Sequence, residues 1–210
     1  MAVIPAALVP LCVYLQTRKG QATGIAFIDA TSLVGCHNRR IQRHQVFKPV
    51  ARRGKTSVGW FYGFKLHLVV NDRGELLAFQ ITPGNTDDRQ PVPRLVKGLT
   101  GKLFGDRGYI SQKLFETLLE QNLPLITQLR KTRRNQLLPV ADKLLLRKRA
   151  LIETINDQLK NISPIEHTRH RSGVNAMANL LAGLVAYTHQ PKKPSLDLSQ
   201  NQLKLLNCQV

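Results

Sequence analysis

Acidic residues are scarce in this chain, whose 210 residues include 13 Asp and Glu against 31 Lys and Arg. The imbalance gives a formal net charge of +18 and a pI near 10.5. A surface this basic favours a polyanionic partner, and because bound Lys and Arg release counterions from phosphates, nucleic acid is the expected one. A ribosomal-type RNA binder and a membrane-surface protein are the alternatives that the charge leaves open.

Cysteine is also rare, since Cys12, Cys36 and Cys208 are the three in the chain. They are odd in number and widely separated, which excludes a disulfide framework and favours a reducing cytoplasm. No apolar run approaches the roughly 20 residues that span a bilayer, so we expect no membrane partner. The apolar residues 1–15 lack a basic start and are broken by prolines, which is not typical of a signal peptide.

Hydrophobic residues make up 42% of the chain, which is enough for one buried core. Apolar runs of strand length alternate with runs of helical spacing. By analogy of element order, this predicts an α/β fold with a ribonuclease-H-like mixed sheet flanked by helices. The predicted strands cover residues 24–29, 60–70, 75–82, 102–104 and 123–129, and the predicted helices cover residues 91–98 (capped by Asp87 or Asp88), 111–121, 142–162 and 172–188.

Two of the few acids, Asp29 and Asp106, each follow the apolar run of a predicted strand. A carboxylate in that position costs solvation free energy unless a cation or hydrogen bonds compensate. Two such acids can converge at one edge of a sheet and form a hard oxygen site suited to Mg²⁺ or Mn²⁺. The alternative is that each acid caps the loop that follows its strand.

A third acid, Glu153, lies within the predicted helix 142–162. Arg149, Glu153 and Lys160 are spaced so that they project from nearly one face of that helix. A carboxylate between two cations suits a metal ligand beside groups that hold phosphate oxygens. An exposed Arg–Glu pair is the alternative interpretation, and Asp157 is the rival ligand.

Basic residues crowd the segment 36–55, and the chain has no acid between Asp29 and Asp72. Such a run is usually a solvated surface, but here it directly follows the first candidate acid. We therefore expect its side chains to contact the phosphate backbone of DNA. The predicted contacts are Arg39, Arg40, Arg43, Arg52, Arg53 and Lys55.

The aromatic run of Trp60, Phe61 and Tyr62 has two interpretations. Its rings could stack on an extruded base. Aromatic clusters more often pack beneath a sheet, and packing is the expectation for this one. Near the same segment, Cys36 and two histidines lack the paired spacing of a zinc site, so a chance grouping is expected.

Several runs of the sequence resemble a family of bacterial insertion-sequence transposases with a DDE triad. They include FIDAT, CHNRRIQRH, TPGNTDDRQPVP, FGDRGYISQKLF and LRKRALIETINDQLK, and the similarity extends from about residue 24 to residue 194. The resemblance implies that Asp29, Asp106 and Glu153 are the catalytic acids. It also implies a signature of Tyr, two residues, Arg, three residues, Glu, six residues and Lys, which Arg149, Glu153 and Lys160 match. Leu146 replaces the tyrosine.

The resemblance further implies two bound Mg²⁺ or Mn²⁺ ions and movement of a DNA element by cleavage and strand transfer. The expected partners are the element ends, target DNA and a second copy of the chain, in a bacterial cytoplasm at the nucleoid. We expect residues 1–22 to be the remnant of an N-terminal region, 23–189 the catalytic domain and 190–210 a loose tail. Because that N-terminal region is expected to be truncated, the activity of this form stays open. A simple metal-dependent nuclease and a basic DNA-binding remnant without catalysis are the alternatives.

Overall fold

The computed structural model describes residues 3–128, 138–166 and 170–196. Strands dominate its first part and helices its last part. The strands are β1 (Ile25–Cys36), β2 (Arg52–Lys55), β3 (Trp60–Asn71), β4 (Leu76–Pro83), β5 (Lys102–Gly105) and β6 (Leu125–Thr127). The helices are α1 (Val3–Thr17), α2 (Val92–Leu95), α3 (Gln112–Glu120), α4 (Val140–Arg147), α5 (Ala150–Asn161) and α6 (Gly173–Thr188), with short 3₁₀ helices at Asn38–Arg43 and Arg107–Tyr109.

The strands form one mixed sheet in the order β2-β3-β1-β5-β6, and β4 also pairs with β3. β3 is antiparallel to β1, β2 and β4, whereas β1, β5 and β6 are parallel to one another. The pairing of β1 with β3 is the longest, from Ala26 opposite Asn71 to Cys36 opposite Tyr62. The strands predicted at residues 60–70 and 75–82 are confirmed as β3 and β4, which pair with each other as antiparallel neighbours.

Alternating side chains of the central strands divide the apolar interior into two clusters, one on each face of the sheet. Phe27 and Leu68 belong to the cluster that contains buried residues of α5 and α6. Their chain neighbours Ile28 and Val69 belong to the cluster that contains buried residues of α2 and α3. Helices therefore cover both faces, which confirms the predicted α/β class with a mixed sheet flanked by helices.

The prediction of one helix over residues 142–162 is wrong, because this segment forms α4 and α5 with a turn between them. α4 ends at Arg147, and Lys148 and Arg149 form a turn before α5 begins at Ala150. Residues 147–149 are all basic, so no apolar side chain holds this turn against the sheet. Arg149 consequently flanks the start of α5 instead of lying inside a longer helix.

The prediction that the first strand ends at Asp29 is also wrong, since β1 continues to Cys36. Residues beyond Asp29 include polar side chains, which hide the strand from a search for apolar runs. Their backbone groups nevertheless pair with β3 as far as Tyr62, and this satisfies donors and acceptors that would otherwise need other partners. β2 was not predicted because its sequence, RRGK, carries no strand pattern.

The cap predicted for the helix at residues 91–98 is wrong as well. α2 covers only four residues, and no side chain caps its start. Asp87 instead accepts a hydrogen bond from the backbone N–H of Arg89 at 2.9 Å, within the preceding turn. By contrast Ser111 does cap α3, since its hydroxyl accepts from the N–H of Leu114.

The two ends of the described chain pack against other elements. α1 contacts α6, with Leu15 buried and the Tyr14 hydroxyl 2.8 Å from Nε2 of His189. In the segment 190–210, predicted to be loose, the Leu196 N–H donates to the carbonyl oxygen of Asp72 at 2.7 Å. Residues 197–210 lie outside the described ranges. Among the described helices, none is both long and apolar enough to cross a bilayer.

Candidate active site

Asp29 and Asp106 face each other across the parallel part of the sheet. β1 and β5 pair up to Phe27 and Phe104, and the same register continued by two residues brings Asp29 opposite Asp106. Asp106 directly follows β5, where its Oδ1 accepts from the N–H of Gly108 at 2.8 Å. Asp106 therefore ends its strand as predicted and also caps the next turn, whereas Asp29 lies in the middle of its strand.

Glu153 is in the first turn of α5, and Arg149 bridges it to Asp29 on β1. Arg149 Nη2 lies 2.6 Å from Glu153 Oε1, and Arg149 Nη1 lies 3.8 Å from Asp29 Oδ1. The guanidinium thus stands between two of the three candidate acids. The Arg–Glu pair that was the alternative interpretation is present, but it adjoins Asp29 instead of lying on a remote surface.

Asn156 is a member of this group that the sequence analysis did not identify. Its Nδ2 donates to Asp29 Oδ2 at 2.9 Å, and its side chain is buried with no partner for Oδ1. Asn156 follows Glu153 by three residues, so both lie on neighbouring positions of α5. Asp157, the rival ligand, is exposed, and Asn156 contacts Asp29 instead. The spacing from Glu153 is the signal that could have identified Asn156.

The electrostatics of the group are concentrated on Asp29. The pKa of this carboxyl is raised from 3.8 to about 6, mainly by burial and to a smaller extent by the nearby charges of Asp106 and Glu153. Arg149 and the N–H of Ala30 act in the opposite direction. Asp29 is therefore a carboxylate whose charge is only partly compensated by its protein neighbours.

Tyr109 lies within the electrostatic influence of Asp29 and Asp106, and it was also not identified from the sequence. Its ring is buried in the second apolar cluster, and its hydroxyl has no hydrogen-bond partner. Burial raises the pKa of this phenol well above 10, and the charge of Asp29 is the next largest cause. The hydroxyl is thus a neutral group that lies within electrostatic reach of the acids.

Lys160 is not brought into this group. Its Nζ lies 3.1 Å from Glu166 Oε2, and Glu166 Oε1 accepts from the N–H of Val34, further along β1. Leu146, at the position of the signature tyrosine, is a buried core residue of α4. The part of the signature that gathers around Asp29 is therefore Arg149 and Glu153, together with Asn156.

A divalent metal ion fits these side chains by the chemistry of the donors. Asp29, Asp106 and Glu153 offer only carboxylate oxygens, which Mg²⁺ and Mn²⁺ favour. Burial and, to a smaller extent, the charges of Asp106 and Glu153 disfavour the ionised form of Asp29, and a bound cation would favour it. Across the described parts of the chain, no three His, Cys, Asp or Glu side chains lie close enough together to hold one ion.

The basic residues predicted to contact DNA are all exposed. Those of the 3₁₀ helix follow His37, whose Nδ1 accepts from the N–H of Arg39 at 3.3 Å. Those of β2 lie along an edge strand of the sheet. The structure thus presents two groups of cations: Arg39, Arg40 and Arg43 on the 3₁₀ helix, and Arg52, Arg53 and Lys55 on β2.

The packing expected for the aromatic run at 60–62 is confirmed for two of its members. Phe61 and Tyr62 are buried, whereas Trp60 is 57% exposed. The carbonyl oxygen of Trp60 accepts from Asn38 Nδ2 at 2.7 Å, which holds its backbone. For Trp60 the expectation of a packed ring is wrong, because Trp60 is the first residue of β3 and lies opposite the exposed Lys55 of the edge strand β2.

Replacing Asn156 with aspartate is expected to raise the pKa of Asp29 by about one unit or more, because a neutral donor becomes a second negative charge. A carboxyl titration of Asp29 followed by carbon-13 NMR measures the shift. Asn161→Asp, an exposed change on the same helix, is the matched control and should leave the pKa of Asp29 in place. An unchanged Asp29 titration in the Asn156 variant would contradict the contact.

Residues 19–173 match a family model described as a transposase DDE domain. Among solved structures, the chain is similar to a piggyBac transposase in a synaptic complex with hairpin DNA, with 12% identity, a TM-score of 0.45, and coverage of 90% of this chain and 52% of that chain. It is also similar to a chain of a simian T-cell lymphotropic virus intasome in complex with the PP2A regulatory subunit B56 gamma, with 14% identity, a TM-score of 0.35, and coverage of 88% and 63%. The chain therefore spans between about half and two thirds of these solved chains. A comparison with curated proteins found no match.

Proposed function

Because the chain belongs to the transposase DDE domain family, we propose that it catalyses metal-dependent cleavage and strand transfer of an insertion-sequence element. In this proposal a phosphodiester bond is cut at each element end, and the freed 3′-hydroxyl attacks target DNA. The observation that carries the proposal is the set of contacts around Asp29. Its carboxylate meets Arg149 and Asn156, and the charges of Asp106 and Glu153 act on its pKa.

In the proposed site Asp29, Asp106 and Glu153 would hold two Mg²⁺ or Mn²⁺ ions through their carboxylates. Such ions, when bound, lower the pKa of the attacking water and neutralise charge on the leaving 3′-oxygen. The Asn156 amide donates a hydrogen bond to Asp29 and thereby fixes the orientation of the carboxylate. The partly exposed side chains of Asp29 (21%) and Glu153 (53%) leave the group accessible to DNA.

Arg149 is proposed to hold the phosphate next to the scissile bond. A guanidinium presents paired N–H donors that match the oxygens of a phosphate, and it stays charged at every relevant pH. Its ion pairs with Asp29 and Glu153 already hold it beside the acids. Lys160 is proposed to contact a more distant phosphate, which requires its ion pair with Glu166 to open.

The proposed DNA path follows the cations of the 3₁₀ helix and β2. Since these residues are exposed and follow β1, which carries Asp29, a duplex along them stays near the acids. The positive surface supplies affinity that does not depend on base sequence. Handling two element ends together calls for two copies of the chain, so we also propose a homodimer in the bacterial cytoplasm.

The test is a joining assay with the full chain, a labelled duplex that ends in a 3′-hydroxyl, a plasmid target and Mg²⁺. Glu153→Gln keeps the shape of the side chain but removes its charge, and it is expected to lower joining by roughly 10²-fold. The matched control is Glu116→Gln on the exposed side of α3, which should retain joining.

Three outcomes separate the candidate functions. Joining that depends on Glu153 supports a transposase. Cleavage without joining identifies a simple nuclease and overturns strand transfer. Salt-sensitive binding without either reaction, indifferent to Glu153, identifies a DNA-binding module and overturns catalysis.

A further inference from the structure

An open pocket adjoins the candidate active site on the side of β2. Its volume is about 470 Å³, within the roughly 300–1,000 Å³ of typical ligand sites. Gly108 lines this pocket, and the N–H of Gly108 donates to Asp106 at 2.8 Å. The pocket is therefore connected to one of the candidate catalytic acids by a single hydrogen bond.

The aromatic wall of the pocket is Trp60. The ring is 57% exposed, although a tryptophan is costly to leave in water. β2 pairs Lys55 directly opposite Trp60, and Arg53 is two residues away on the same side of that strand. The Arg53 guanidinium carbon lies 5.9 Å and Lys55 Nζ lies 5.7 Å from the ring centroid. An accessible ring is thus bordered by two cations that also reach solvent.

The charge of the pocket favours an anion. Four cationic and two acidic side chains line it. Each acid is paired within the pocket, since Lys65 Nζ lies 2.8 Å from Asp88 Oδ1 and Arg89 Nε lies 2.8 Å from Asp87 Oδ1. The positive charge that remains is on Arg53 and Lys55, at the edge of the indole.

A ligand that fits must offer a flat ring and a phosphate together. We propose that Trp60, Arg53 and Lys55 bind one unpaired nucleotide of the DNA substrate, with its base stacked on the indole and its phosphate at the two cations. Stacking on an aromatic side chain is open to every base, and neighbouring cations hold the backbone. This inference deepens the proposed function and rests on it for the identity of the substrate. A base in this pocket cannot stay paired, so the site selects DNA that is frayed, single-stranded or distorted beside the cleaved bond.

Trp60 is the single tryptophan of the chain, so its fluorescence reports on this pocket alone. The full chain is titrated, without divalent metal, with a short oligothymidylate and with an abasic oligonucleotide of the same length and charge. Quenching by the oligothymidylate and much weaker quenching by the abasic strand are expected. Equal quenching by both, or by polyglutamate, would show that the pocket recognises charge alone and would overturn the proposal.

Three variants test the same point by affinity. Trp60→Ala is expected to weaken binding of the oligothymidylate by roughly 10- to 100-fold and to leave a blunt duplex unaffected, because a stacked base loses its platform. Trp60→Phe, which keeps a flat ring, should recover most of the loss. Val58→Ala is the matched control, since Val58 is 96% exposed in the preceding turn. Equal loss for both DNAs, or no loss for either, would contradict a nucleotide site.

These measurements stay separate from the test of catalysis because they need no metal and no reaction. If base-dependent quenching is found but joining is absent, the nucleotide site stands and the proposed function fails. If joining depends on Glu153 but Trp60 shows no base-dependent quenching, the catalytic proposal stands and this one fails.

Discussion

Replacing Asp29 with asparagine is expected to abolish strand transfer and, in the absence of metal, to stabilise the protein. Activity should fall on the order of 10³-fold or more, since the variant lacks a ligand of the proposed ions. The pKa of Asp29 is about 6 in the folded protein against 3.8 for an unperturbed aspartate. The wild-type free energy of unfolding therefore falls as the pH rises from about 4 to about 6, where the fold must accept the ionised form. Asparagine does not ionise, so the variant's free energy of unfolding at pH 8 should exceed that of the wild type by about 1–3 kcal/mol.

Urea unfolding at pH 4 and at pH 8, in the presence of a chelator, measures this effect. The two proteins should differ at pH 8 and converge at pH 4, where Asp29 is protonated in the wild type. Asp157→Asn, an exposed change on α5, is the control and should show neither the gain nor the pH dependence. An Asp29 variant that is less stable than wild type at pH 8 would refute a partly compensated carboxylate at this position.

Removing the three arginines of the 3₁₀ helix is expected to weaken DNA binding by roughly 10²- to 10³-fold at low salt. Each phosphate that is no longer neutralised by an arginine should reduce the slope of log affinity against log salt by about 0.9. The Arg39, Arg40 and Arg43 triple alanine variant should therefore have a slope that is smaller by about 2.7. Fluorescence anisotropy of a labelled duplex over a salt series measures both the affinity and the slope.

The control for this variant must remove the same charge elsewhere. Arg94, Lys97 and Lys113 are exposed on and near α2 and α3, which pack on one face of the sheet. Their triple alanine variant lowers the net charge equally but should reduce the slope by much less. Equal slopes for the two triple variants would mean that affinity follows net charge alone and that the 3₁₀ helix does not touch DNA.

The fold class and the proximity of Asp29 and Asp106 could be predicted from the sequence. The prediction assumed that both acids end their strands, which holds for Asp106 but not for Asp29. Apolar runs in the sequence predicted β1, β3, β4, β5 and β6, because buried strands require apolar side chains at regular positions. The parallel register that aligns Asp29 with Asp106 did not require Asp29 to end its strand. Backbone pairing carried β1 onward through polar residues, and no composition signal marks such an extension.

Other parts of the site depend on tertiary packing that leaves little trace in a single sequence. The turn before Arg149 follows from a local lack of apolar side chains. A helical periodicity that is averaged over a long window does not detect so short an interruption. Asn156 contacts Asp29 because α5 packs against β1, and only its spacing of three residues from Glu153 hints at this contact in the sequence. The exposure of Trp60 is set by its place at the start of β3, opposite Lys55 of the edge strand β2, and hydrophobicity alone cannot indicate that place.

The hydrogen bond between Asn156 and Asp29 joins residues separated by 127 positions. Pairings of such long range form late, because closing a long loop costs chain entropy before any interaction repays it. During synthesis, β1 leaves the ribosome well before α5 and has no Asn156 or Glu153 to meet. The candidate acids of this protein can therefore come together only after α5 has been made and packed, and a chain that lacks α5 keeps its basic segment without Glu153 and Asn156 beside Asp29.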